Sequence, residues 1–212
     1  MQQINTEVQP STTPFLYETE ENGFENESVK VHLWTRDEYY QMAELGFFHG
    51  KKVELIEGEI IEMSPMKSPH ATSISLVSEV LRESFDKTFY VRSQLPLSFS
   101  KINEPEPDVA IVKGTIRDFK NSHPTTAELV VEVSDATLRY DRTGKMNLYA
   151  KNKIQDYWIV NIKSRCLEIY RRPIRDKKLG FVYTEIKIFT EKDVVSPLAK
   201  PDARIKVADI LP

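Results

Sequence analysis

From Leu33 onward the apolar positions fall into runs of two different spacings. Tyr39, Met42 and Ala43 recur at helical spacing behind Thr35-Arg36-Asp37-Glu38. In that Thr-x-x-Glu sequence hydroxyl and carboxylate can cap a helix reciprocally, and the helix is expected to stop near Gly46. Lys52 to Met63 reads as two strand-like runs around Glu57-Gly58, a tight hairpin in which glycine supplies positive φ. Ser64-Pro65 and Ser68-Pro69 break the pairing. Ile74, Val77, Leu81 and Phe85 then mark one face of a helix from about His70 to Lys87. A strand follows across Phe89 to Phe99, where Pro96 implies an edge or a bend.

The second half is richer in strands. Val109-Ala110-Ile111-Val112 and Leu129-Val130-Val131 are continuous apolar runs, the pattern of central strands covered on both faces. A helix from about Arg142 to Asn152 would set Met146, Leu148 and Tyr149 against that sheet. Tyr157-Trp158-Ile159-Val160 is a further buried strand. Leu167 to Tyr170 and Tyr183 to Ile188 alternate as half-exposed antiparallel strands do. This order predicts one α/β domain over residues 31–212, a mixed β-sheet flanked by helices with an extra β-hairpin.

Charge is unevenly spread. The formal net charge is −3, yet residues 1–29 hold Glu7, Glu18, Glu20, Glu21, Glu25 and Glu27 and no lysine or arginine. Residues 1–30 therefore read as a flexible acidic arm, and the remainder is net positive. Such a remainder can hold phosphates on a local basic face, although charge alone does not require it. The lone Cys166 excludes an internal disulfide and a multi-cysteine zinc site. No apolar run approaches a membrane span and no secretory pattern opens the chain, so a cytoplasmic protein is expected.

Against this background four residues stand out: Glu54, Asp108, Glu132 and Lys145. Glu54 lies in Val53-Glu54-Leu55-Ile56, and Glu132 in Val131-Glu132-Val133. A carboxylate set among β-branched aliphatics is costly unless it is partnered, and several in one chain suggest a shared cation. Mg²⁺ prefers one or two carboxylates completed by water and substrate phosphate. Asp108 and Glu132, at the ends of apolar strand runs, would hold it, with Glu54 as a third ligand directly or through water. Lys145, on the following helix, would orient the nucleophile or neutralise developing charge.

These residues carry a resemblance. Val53 to Ile60, Met63-Ser64-Pro65, His70, Pro105-Glu106-Pro107-Asp108-Val109, Glu128 to Ser134, Tyr140-Asp141-Arg142, Lys145, Leu148-Tyr149 and Asp156 to Val160 together resemble the Uma-two family of the PD-(D/E)XK nuclease superfamily. The resemblance runs from about Leu33 to the C-terminus. It implies a restriction-endonuclease-like core, DNA as substrate, Mg²⁺ (with Mn²⁺ as a substitute) as cofactor, and a homodimer. Asp108 would match the acid of the "PD" half and Glu132 that of the second half. Glu54 would match the early helix acid, here moved to the hairpin. Ser134 stands where the superfamily usually has lysine, and Lys145 looks like a migrated replacement.

Other residues have plainer readings. Asp141 and Arg142 are expected to cap the helix and pair with each other, and Gln94 to make an edge hydrogen bond. His70 is expected to cap or pack at a helix start, Tyr149 to pack in the core near Trp158, and Cys166 to be a strand residue. His32, His49 and His123 have no metal-ligand spacing. The rival functional readings are a catalytically inactive nucleic-acid-binding or regulatory module with the same fold, and an interaction protein whose acidic arm covers a basic face.

Overall fold

The computed structural model describes residues 30–212. The acidic arm expected over residues 1–30 thus lies, Lys30 apart, outside the described residues. His32–Pro212 forms one unit. Its frame is a six-stranded sheet in the order β3-β4-β5-β6-β7-β8, built from Phe89–Ser93, Val109–Lys113, Leu129–Ser134, Asp156–Asn161, Cys166–Asp176 and Gly180–Thr190. Neighbours run antiparallel except β5 and β6, which are parallel, so the sheet is mixed as expected. Parallel neighbours require a crossover, and here it carries a helical segment over residues 138–151.

The continuous apolar runs explain the layering. β4, β5 and β6 are buried on both faces because each face meets its own core. On one face α2 (Ser68–Ser84) lays Ile74, Val77 and Leu81 against Ile111, Val131 and Trp158. The C-terminal segment closes that layer, with Val207, Ile210 and Leu211 buried and Ser73 Oγ donating to the Ile210 carbonyl at 2.8 Å. On the other face the crossover helix α4 (Met146–Lys151) packs Leu148 and Tyr149 against Val130, Tyr157 and Ile159.

The hairpin β1 (Val53–Ile56) and β2 (Glu59–Glu62) forms a separate two-stranded sheet over this second layer. Its turn residues Glu57 and Gly58 both take positive φ, 52° and 78°, as a two-residue hairpin demands. Strapping to residues 102–104 fixes its position: Glu104 N–H donates to the Leu55 carbonyl at 2.7 Å and Gly58 N–H to the Ile102 carbonyl at 2.9 Å. The helix α1 (Arg36–Glu44) begins with the expected reciprocal cap between Thr35 and Glu38.

Several details differ from expectation. The strand expected to reach Phe99 ends at Ser93, because Gln94 turns to φ 52° and Pro96 follows. β3 is an edge strand, the place where a nearby proline is tolerated. The helix expected from Arg142 starts earlier, as α3 (Leu138–Tyr140), and passes through a π-helical turn, Asp141–Lys145, before α4. The turn itself, Asp-Arg-Thr-Gly-Lys, contains no apolar residue, so apolar periodicity does not register it. A second small pairing, β9 (Val194–Val195) with β10 (Ile205–Lys206), is too short for periodicity to reveal. Among the described residues no helix is long and apolar enough to cross a membrane.

Candidate active site

The π-helical turn places Lys145 beneath the hairpin and beside β5. Its Nζ lies 2.9 Å from Glu132 Oε1 and 3.3 Å from Glu54 Oε2. All three side chains are almost fully buried. Glu54 reaches the lysine because the hairpin is anchored onto the crossover helix. At the turn, Lys151 Nζ pairs with Glu57 Oε2 at 2.8 Å, and Asn103 Oδ1 accepts from the Glu57 N–H at 2.7 Å. Among the described residues Glu54 Oε2 has ion-pair distance to Lys145 but no hydrogen bond, and Ser134 Oγ is likewise buried without one.

Glu132 is held by two donors on a single oxygen. Tyr149 Oη donates to Oε1 at 2.5 Å alongside the Lys145 ammonium. The other oxygen, Oε2, faces the Asp108 backbone N–H at 3.4 Å. Asp108 Oδ2 accepts from the Val133 N–H at 2.9 Å and meets His70 Nε2 at 3.1 Å, and Gln94 Nε2 lies 3.4 Å from Oδ1. The Asp108 and His70 side chains are 13% and 21% exposed, against 2% for Lys145. The cluster therefore opens to solvent at Asp108 and is sealed at Lys145.

Burial and charge act differently on each group. Glu132 is pushed up to about 8 by burial, with Asp108, Asp141 and Glu54 adding to the effect and Lys145 opposing it. Burial works to lower Lys145, but the carboxylates of Glu132, Glu54 and Asp108 outweigh it and hold the ammonium well above its ordinary value. Burial alone would raise Asp108. The hydrogen bond and charge of His70, the Val133 amide and Lys145 bring it below the usual carboxylate range instead.

The four residues singled out in the sequence thus meet in one cluster. Two neighbours were undervalued. Tyr149 is buried as expected, but it packs on Tyr157 rather than near Trp158, which lies in the core of the other face, and its hydroxyl ends on Glu132. His70 sits in the first turn of α2, yet its ring partner is Asp108 rather than the helix end. The expected Asp141–Arg142 pairing does not occur. Asp141 accepts from Thr137 Oγ1 at 2.8 Å, and Arg142 forks onto Glu168 of β7 at 2.6 and 2.9 Å, a partner the local sequence cannot show.

Among the described residues no group of three His, Cys, Asp or Glu side chains is placed to hold a metal ion by itself. The donor chemistry fits a smaller site. Asp108 and the Oε2 of Glu132 offer two hard oxygens at the open end, the number a Mg²⁺ ion takes when water and phosphate complete its shell.

A family model described as "Putative restriction endonuclease", Uma2, matches residues 36–208. The chain belongs to the Uma2 family. No curated protein matches it. Among solved structures, the Uma2 chain is similar to "a putative nuclease belonging to DUF820" from Anabaena variabilis ATCC 29413. The identity is 16%, the TM-score is 0.64, and the match covers 83% of this chain and 96% of that one. At that identity the likeness speaks for the fold: a six-stranded mixed sheet between helical layers.

Proposed function

We propose that this Uma2 protein is a Mg²⁺-dependent endonuclease that hydrolyses DNA phosphodiester bonds, with Mn²⁺ able to substitute. The observation that carries the reading is Lys145, buried between Glu132 and Glu54 and adjoining an open carboxylate, Asp108. Asp108 and Glu132 would hold the cation, and Glu54 would support it through water. When bound, a divalent cation polarises the phosphodiester and lowers the pKa of an attacking water. Lys145 keeps a positive charge in a low-dielectric site, where it counters the charge that develops on the phosphorus oxygens. Tyr149 and Lys145 fix Oε1 of Glu132, leaving Oε2 toward Asp108. His70 orients Asp108 from the solvent side. A cytoplasmic homodimer, with one site for each strand, completes the proposal.

The test is cleavage of supercoiled plasmid with Mg²⁺. Wild type should nick or linearise it. Asp108→Asn and Lys145→Met should each slow cleavage by about 10²-fold or more. An inert wild-type protein, or undiminished cleavage by Asp108→Asn, sinks the assignment. One observation favours a second reading, a DNA-binding module without catalysis: no three-donor metal group exists among the described residues. That module would bind DNA in a salt-sensitive manner without Mg²⁺, and binding would persist in Glu132→Gln.

A further inference from the structure

The sheet has two outer edges, and they differ. β3 is five residues long and runs at once into the Gln94 turn and Pro96. Short strands and nearby prolines are among the devices that keep an edge from pairing. β8 is eleven residues long, contains no proline, and is closed only at its ends. Near its start the Phe181 carbonyl accepts from Asn147 Nδ2 at 3.0 Å. At its end the Thr190 N–H donates to Asp193 Oδ2 at 2.6 Å, and the Thr190 carbonyl accepts from the Asp193 N–H at 3.0 Å. Between those points, among the described residues, the backbone of β8 has no hydrogen-bond partner outside β7. At the two-residue period of a strand, Ile188 and Ile186 turn their N–H and carbonyl groups to the same open side as Thr190.

The side chains along this stretch form a pattern that complements itself. Ile186 and Ile188 stand on one face, 55% and 64% exposed, with Thr184 exposed beside them. Glu185 and Lys187 occupy the other face. There Lys187 Nζ meets Glu185 Oε1 at 2.7 Å, and Arg172 Nε meets Oε2 at 3.2 Å. Let a second strand of the same sequence run antiparallel with its Ile186 opposite Ile186. Each Glu185 then faces the partner's Lys187, and each Ile188 faces the partner's Thr184. Centring the pair on Lys187 or on Glu185 would instead set like charges directly opposite, which is unfavourable. A contact of this two-fold kind closes with two copies.

We propose that β8 is the docking edge for a second copy of this chain, paired antiparallel about Ile186 so that two six-stranded sheets become one. This pairing rests only on the homodimer of the proposed function, to which it gives a surface; the cleavage chemistry plays no part in it. Main-chain bonds from Ile186 and Ile188 join the strands, the two isoleucines leave water, and the Glu185–Lys187 crossings fix the register.

Sedimentation of the full-length protein, without DNA or metal, measures its mass. Wild type is expected to be a dimer. Glu185→Lys and Lys187→Glu, each alone, turn both symmetry-related crossings into repulsions and should weaken the dimer by about 10-fold or more. Mixed in equal amounts, the two variants again place opposite charges at both crossings, and dimers should re-form. Ile186→Lys, at an exposed position, should weaken the dimer as well. A monomeric wild type, a dimer unchanged in all three variants, or no recovery on mixing overturns the proposal. A monomer that still cuts plasmid overturns this inference alone. A dimer with the expected mixing behaviour that does not cut supports it and counts only against the nuclease reading.

Discussion

Two donors converge on one oxygen of Glu132, and that economy defines what a single side chain does here. Tyr149→Phe keeps the ring packed against Tyr157 and Phe99 but removes one of the two bonds. A hydrogen bond contributes about 0.5–1.5 kcal/mol net. The variant should lose stability of that order in urea denaturation, with its fold intact by circular dichroism. Unfolding at the wild-type midpoint would show that the hydroxyl does not restrain Glu132. At this scale the sequence was informative about charge and silent about partners. Glu54 and Glu132 announce themselves because a carboxylate among aliphatics must be compensated. Tyr149 does not, because a tyrosine in a helical apolar stripe has an adequate explanation in packing. Arg142 was matched to its chain neighbour because Glu168 is close only after β7 is in place.

The π-helical turn is the element on which the cluster depends. It widens the crossover helix where Lys145 must reach between β5 and the hairpin, and Gly144 sits inside it. A Cβ at Gly144 would stand 2.6 Å from a ring carbon of Tyr140, a distance at which something must move. Gly144→Ala should therefore destabilise by about 1–3 kcal/mol, as overpacking does. It should also cut cleavage, since the displaced turn carries the lysine. Thermal denaturation and the plasmid assay measure the two effects. A variant as stable and as active as wild type would remove the turn from the account. The hairpin, α1 and the buried strands were legible because their signals are local: a capping box, a Glu-Gly turn, unbroken aliphatic runs. The π-turn and the Gln94 break are not local in that sense, since tertiary packing decides them.

For the whole molecule, acid is the informative perturbant. Glu168 ties three elements together, accepting from Arg142 of the crossover, Asn161 of β6 and Tyr170 of β7. Burial acts to raise its pKa, but the hydrogen bonds from Arg142, Asn161 and Tyr170 outweigh it and hold the carboxyl below the ordinary 4.5. A lowered folded value means that its contribution is fully present above the unfolded pKa and is lost as pH falls through the folded one. Melting temperature should thus drop on acidification below about pH 4.5. Glu168→Gln should start lower at neutral pH and fall less steeply in that window. Parallel melting curves for both proteins would discount this carboxylate. The fold class and the layering could be read from apolar periodicity, but long-range ties of this kind could not.

The parallel pairing of β5 and β6 has a kinetic consequence. A parallel pair closes only after its crossover is in place, and here the crossover brings the ammonium that neutralises Glu132. Until then Glu132 gains by remaining hydrated. The β5–β6 pairing that residues 135–155 connect is non-local, the kind of contact that slows folding. The Glu54–Glu132–Lys145 cluster and the completed sheet consequently mature together, so that a partly folded chain does not carry the cluster half-assembled.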